Sequence, residues 1–171
     1  SQGIRHILCT PHHNNGKYRN EKSEVISLVS FVQSEFDKRQ LPITLLEGQE
    51  IRITGDLIED IRRDEILFTD LDDTYLLIEF PTLEVPLYAE RLFFELLQMG
   101  KRPVIVHPER NAHFRKNPNH LVPFLDMGCL AQLTAPSYMG VFGKDIQKTA
   151  KTMVKHNLVQ MTASDAHSIS K

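Results

Sequence analysis

Apolar residues in this chain fall into short runs, separated by stretches in which they recur every three or four positions. The first run, Ile4-Arg5-His6-Ile7-Leu8-Cys9, predicts a strand. From about Glu21 to Lys38, the spacing of Val25, Ile26, Leu28, Val29, Val32 and Phe36 predicts a helix with one apolar stripe. Ile43-Thr44-Leu45-Leu46 predicts a second strand leading into Glu47-Gly48-Gln49-Glu50, and Asp56 to Arg62 a short helix. Tyr75 to Phe80 predicts a buried strand closed by Pro81. Leu87 to Met99 reads as a helix with Leu92, Phe93, Leu96 and Leu97 inward, and Gly100 stands where glycine is favoured past a helix end.

The pattern continues with a strand over Pro103 to Val106 and a short helix over His120 to Met127, ended by Gly128. Cys129 to Leu133 predicts a strand, Lys144 to His156 a helix and Leu158 to Thr162 a last strand. Strands alternating with helices predict an α/β fold, a parallel sheet or barrel with right-handed crossovers. The length of 171 residues suits one domain over the whole span 1–171.

Composition narrows the partners. Hydrophobic residues make up 41% and charged residues 25%, an ordinary globular balance, and the formal net charge is −2. No basic excess points to nucleic acid. Apolar runs such as Tyr75-Leu76-Leu77-Ile78 are too short to enter and cross a bilayer, so no membrane insertion is expected. Cys9 and Cys129 form no CxxC pair and are expected as free buried thiols, which predicts a reducing, cytoplasmic setting. The chain runs into a strand almost at once and stops soon after Asp165-Ala166-His167, so both ends are expected to be cuts through a larger domain.

Candidate chemistry gathers at the strand ends. The first strand is followed by Thr10-Pro11-His12-His13, the second by Glu47 and Glu50, and the third ends in Glu79. Later strands lead into His107-Pro108-Glu109-Arg110 and Ser164-Asp165-Ala166-His167. In parallel β/α folds these ends face one way, so residues from separate strands can meet at one mouth. Imidazole and carboxylate together suit Zn²⁺, Mn²⁺ or Fe²⁺. Asp165 and His167, two apart, would share a face if the backbone there were extended.

Arg110, three residues after His107, has the guanidinium that clamps phosphate. Each residue also has a plainer reading: His12 as a solvated loop residue, Glu79 as the partner of an arginine, Asp165 as a helix cap, Arg110 as a surface charge. Glu79 stands out because a carboxylate ending Leu76-Leu77-Ile78 is desolvated at a cost unless paired or ligating. Patterning leaves Glu47 and Glu50 level. His6, His113, His120 and His156 are taken as structural or surface residues.

With these segments the chain resembles the bacterial protein-tyrosine phosphatases of the polymerase-and-histidinol-phosphatase (PHP) superfamily, which act in capsule and exopolysaccharide synthesis. The matching segments are Gly3-Ile4-Arg5 through Thr10-Pro11-His12-His13, Gly48-Gln49-Glu50-Ile51, Leu77-Ile78-Glu79-Phe80, Pro103 through Arg110, Asp126-Met127-Gly128-Cys129, and Ala163 through His167. The resemblance implies a distorted β/α barrel with up to three divalent metal ions, often manganese. It implies His12, Glu50, Glu79, His107, Asp165 and His167 as ligands, Arg110 as the phosphate-binding residue, and a tyrosine-phosphorylated protein, such as a bacterial tyrosine kinase, as substrate. Glu50 is then preferred over Glu47 because it occupies the family's Gly-x-Glu position, and His13 has no counterpart.

Two departures accompany the likeness. The family's opening His-x-His occurs nowhere in the chain, and the segment carrying its second phosphate-binding arginine is absent. The expectation is that the N-terminal strand and C-terminal helices are missing. Phosphomonoester hydrolysis needs an activated water, neutralised phosphoryl oxygens and help for the leaving oxygen. Divalent ions can supply the first two, Arg110 adds to the second, and His167 is a candidate proton donor as well as a ligand. Neither cysteine lies in a Cys-x5-Arg loop. Two alternatives follow from the same residues: a PHP-type histidinol-phosphate phosphatase or other phosphoesterase, and a non-catalytic regulatory domain on the same scaffold.

Overall fold

Short parallel strands that step sideways and resume are the main feature of the computed structural model, which describes residues 3–167. Backbone packing divides the chain between Leu77 and Ile78. Each unit is described by itself.

In the first unit, β1 (His6–Cys9) pairs in parallel with β3 (Thr44–Glu47), and β2 (His12–His13) with β4 (Glu50–Arg52). The strand expected over Ile4 to Cys9 begins at His6, and a further short strand, β2, lies beyond it, set apart where Pro11 has no amide hydrogen with which to continue the ladder. The same step occurs opposite, at Gly48, where a Cβ would lie 3.2 Å from the Thr10 methyl. The backbone is held through the step by Gly48 N–H donating to the Cys9 carbonyl (3.0 Å) and Glu50 N–H to that of Pro11 (3.1 Å).

Helix α1 (Lys22–Lys38) has nearly the expected bounds, but its stripe is less covered than its periodicity suggests. Val25 is buried, whereas Ile26, Leu28 and Val32 are exposed. The helix packs on β3, which among the described residues pairs with β1 alone. Helix α2 (Leu57–Arg62) follows β4, and Ile51, Ile53, Leu57, Ile66 and Leu76 form a tight core. Asp70 accepts from the amides of Thr74 and Tyr75, turning the chain into β5 (Tyr75–Glu79).

The second unit takes over within β5. Helix α3 (Ala89–Gln98) buries Leu92, Phe93 and Leu96 and ends at Gly100, whose φ of 74° needs no Cβ to be accommodated. Strands β6 (Arg102–Val106), β7 (Leu130–Thr134) and β8 (Met161–Ala163) pair in parallel in that order. Between them lie α4 (Ala112–Lys116), a 3₁₀ turn at Pro118–Leu121, α5 (Val122–Met127), α6 (Ala135–Met139) and α7 (Lys144–Lys155).

Helices α4 and α6 are additions to the expected set, and the expected helix from His120 begins as the 3₁₀ turn. The ring of Phe80 lies 5.6–5.8 Å from those of Phe93, Phe114 and Phe124. This aromatic cluster fixes the chain one residue after Glu79. The architecture is α/β with parallel strand pairs, as the alternation of elements predicts.

Candidate metal and phosphate site

Register brings the first candidate pair together. His12 on β2 is the Cα partner of Glu50 on β4, and its Nδ1 lies 3.2 Å from Glu50 Oε1. Glu50 is buried, while the His12 side chain remains 22% exposed. Glu47 ends β3 opposite Cys9 and is exposed, so of the two carboxylates only Glu50 stands beside His12. His13, next in the chain, turns the other way: its Nδ1 is 2.7 Å from the Asn20 carbonyl oxygen. Gln49 Nε2 also donates to that oxygen at 2.7 Å, and Asn20 Nδ2 donates to the His12 carbonyl at 2.7 Å. These bonds fix the backbone on either side of the His12–Glu50 pair.

In the second unit, Glu79 closes β5 and His107 follows β6, both 8% exposed. His107 Nε2 lies 3.8 Å from Glu79 Oε1, on the same side. That is too long for a hydrogen bond and close enough for both groups to address one cation. The backbone at His107 is left-handed, with φ 36°, and Pro108–Arg110 then forms a 3₁₀ turn. The turn is pinned by Glu109, fully buried, whose Oε1 accepts from the Thr134 amide at 3.1 Å.

Asn111 completes the brace. Its Nδ2 donates to the carbonyls of Pro81 (2.7 Å) and Glu84 (2.9 Å), and its Oδ1 caps α4 by accepting from His113 and Phe114. The loops after Glu79 and after His107 are thereby tied together. Glu109 and Asn111 do not emerge from the strand-end pattern as site residues. Asn favours the helix N-cap, but the cap at Asn111 is recognisable only once α4 is seen.

The remaining three candidates also meet. Arg110 Nη1 donates to Asp165 Oδ2 at 2.7 Å, and His167 Nδ1 is 3.6 Å from Asp165 Oδ1 and 2.9 Å from the Asp165 carbonyl oxygen. One expectation is corrected here. Asp165 is not extended but left-handed, with φ 49°, so its approach to His167 comes from a turned backbone and not from strand alternation. Arg110, 36% exposed, is held by Asp165, and its guanidinium carbon lies 5.1 Å from the Phe142 ring centroid.

Glu79, His107, Arg110, Arg115, Phe142 and Ile146 line a cavity of about 230 Å³. A larger depression of about 750 Å³ in the first unit is lined by charges of both signs, among them Arg19, Lys22, Asp56 and Asp64. It contains neither His12 nor Glu50, and its size alone does not make it the site of chemistry. The cysteines are free: burial, and secondarily Glu47, raises the Cys9 pKa, and burial pushes Cys129 up to about 12. His6, His113, His120 and His156 lie outside these pairs; burial and the neighbouring His120 lower the pKa of His113.

Nitrogen and carboxylate donors on buried, braced backbone suit a divalent cation of the Mn²⁺, Fe²⁺ or Zn²⁺ type. No helix among the described residues is long and apolar enough to cross a membrane.

Comparison with known proteins agrees with the donor chemistry. The model for the family described as "Capsular polysaccharide synthesis, CpsB/CapC" matches residues 1–171. The chain is 44% identical over 98% of its length to the tyrosine-protein phosphatase YwqE of Bacillus subtilis (strain 168). It is 41% identical over 99% of its length to the putative tyrosine-protein phosphatase CapC of Staphylococcus aureus. It spans 66% of each of these relatives. A solved structure, from work on YwqE from Bacillus subtilis and CpsB from Streptococcus pneumoniae as metal-dependent tyrosine phosphatases, superposes with a TM-score of 0.92 at 43% identity. That match covers 99% of this chain and 68% of the other.

Proposed function

Because the chain belongs to the capsular polysaccharide synthesis CpsB/CapC family, we propose that the protein is a metal-dependent protein-tyrosine phosphatase built on a PHP-type distorted β/α barrel. Residues 1–171 form the greater part of its single catalytic domain. The substrate is a tyrosine-phosphorylated protein, a bacterial tyrosine kinase of capsule or exopolysaccharide synthesis being the partner of choice. The setting is the cytoplasm, in keeping with two free cysteines.

In this reading His12, Glu50, Glu79, His107, Asp165 and His167 hold up to three divalent ions, manganese by preference. When bound, such ions supply Lewis acidity that activates water and offsets phosphoryl charge. The chain's own residues do the rest. Arg110, held in place by Asp165, presents its remaining N–H groups to the phosphate oxygens; a guanidinium has five donors, so the ion pair need not break. His167 is more exposed than the other candidates; its first role is as a ligand, and only where it is not spent on a metal could its imidazolium give a proton to the departing phenolate oxygen.

The observation that carries the reading is the buried pair Glu79–His107 lining the same cavity as Arg110. A cation held by that pair and a phosphate held by Arg110 would then share one small space, which supports the reading. The test is the full-length protein, loaded with Mn²⁺, on a phosphotyrosine peptide and on histidinol phosphate. Clear preference for the peptide is expected. Preference for histidinol phosphate would move the protein to the other branch of the same chemistry.

A further inference from the structure

The cavity that holds Arg110 has a wall unexplained by metal or phosphate binding. Phe142 lies with its ring 5.1 Å from the Arg110 guanidinium carbon, and Ile146, in the first turn of α7, lines the same space. Phe142 is 38% exposed, and its neighbours Met139 and Val141 are 73% and 64% exposed. Water-facing apolar residues clustered beside a polar site tend to mark contact with a ligand.

This segment is also held in place. Gly140 (φ 89°) and Gly143 (φ 97°) make the reversals that lift Val141 and Phe142 between α6 and α7. Val141 N–H donates to the Pro136 carbonyl at 3.0 Å, Gly143 N–H to that of Gly140 at 3.1 Å, and Gln147 Nε2 to that of Tyr138 at 3.1 Å. A Cβ at Gly140 would come within 3.0 Å of the Gln147 side chain. The loop is therefore a built feature that costs two glycines in left-handed or related conformations to present a phenyl ring at the cavity.

From this arrangement we infer that Phe142 is the residue that selects aryl over alkyl phosphate esters. The inference rests on the phosphatase reading and names the determinant of its substrate class. A phosphate on Arg110, with Arg115 as a second cation lining the cavity, leaves its ester substituent beside the wall of Phe142 and Ile146. If that substituent is a phenyl ring, it is joined directly to the ester oxygen and falls within the roughly 4.5–7 Å centroid range at which aromatic rings attract. The side chain of a phosphoserine is one methylene long and reaches no such contact.

The experiment uses the full-length, metal-loaded protein with Phe142→Ala, Phe142→Leu and Phe142→Tyr variants. Two quantities are measured: kcat/KM on phosphotyrosine and phosphoserine peptides of one sequence, and calorimetric affinity for phenylphosphonate and methylphosphonate. Phe142→Ala should lower the aryl-to-alkyl ratio about tenfold in both assays, through KM more than kcat. Phe142→Leu should fall between, and Phe142→Tyr should keep the ratio of the parent. An unchanged ratio in Phe142→Ala overturns the inference, and so does an equal fall for both esters, which would make Phe142 only a support for Arg110. A parent that hydrolyses neither ester but binds phenylphosphonate the more tightly, with the preference lost in Phe142→Ala, keeps the aryl wall and removes the phosphatase reading.

Discussion

Arg110 and Asp165, 55 residues apart, are joined by a 2.7 Å charge-assisted hydrogen bond from Nη1 to Oδ2. The bond links the 3₁₀ turn after β6 to the segment after β8, and it puts a guanidinium against a carboxylate that is itself a candidate ligand. Asp165 is the more buried partner, its side chain 12% exposed against 36% for Arg110, so the carboxylate has more to lose from separation.

Arg110 is not itself a ligand, so Arg110→Ala should leave most bound metal in place while lowering kcat/KM on phosphotyrosine. One charged hydrogen bond to phosphate contributes about 1.5–3 kcal/mol, a loss on the order of ten- to a hundredfold. His107→Ala should differ by lowering the metal content itself. Metal analysis and steady-state kinetics on both variants separate the roles, and loss of metal in Arg110→Ala equal to that in His107→Ala would remove the phosphate-clamp assignment.

Glu109 should matter to stability more than to chemistry. It is fully buried, one oxygen accepts from the Thr134 amide, and Oε2 has no hydrogen-bond partner among the described residues. Glu109→Ala strands a buried N–H and should destabilise the fold by about 1–3 kcal/mol. Glu109→Gln keeps an acceptor for Thr134 and removes a buried carboxylate, so it should lose much less. Urea unfolding of the two variants checks this; equal destabilisation would mean that side-chain volume, not the bond, holds the turn.

The thiols should be bystanders. Burial raises Cys129 to about 12, so at pH 7.5 it is almost wholly the unreactive thiol. The sign follows from the acid form being favoured in the fold. The contribution to stability is complete below the ordinary thiol value of 9.0 and is lost as pH rises towards 12. Iodoacetamide at pH 7.5 should leave turnover unchanged and label Cys129 only on unfolding, as mass spectrometry of native and denatured samples would show. Rapid native labelling of Cys129 with loss of activity would contradict this.

The elements legible in the sequence were the long or strongly periodic ones. Helix α1 begins one residue from the expected Glu21, and α7 matches Lys144 at its start, because a dozen or more residues average out local ambiguity. Helices α4 and α6 were not legible because five residues show no period, and β2 because two residues cannot alternate. Glu47 and Glu50 could not be ranked by spacing alone, since the step at Gly48 that moves them onto different strands is a backbone event. The left-handed turns at His107 and Asp165 fall on residue types that adopt them more readily than most, but the chain has many His and Asp and the type alone does not single these two out. Phe142 reads as a loop residue until Arg110 is seen against its ring.

The central claim is metal-dependent hydrolysis of phosphotyrosine, and the most direct measurement is turnover of a phosphotyrosine peptide by the full-length protein before chelation, after chelation, and after Mn²⁺ is returned. Activity should disappear with the metal and come back with it, in proportion to the metal bound. Activity that persists in the thoroughly chelated protein, or a metal-replete protein that leaves phosphotyrosine intact, would contradict the account.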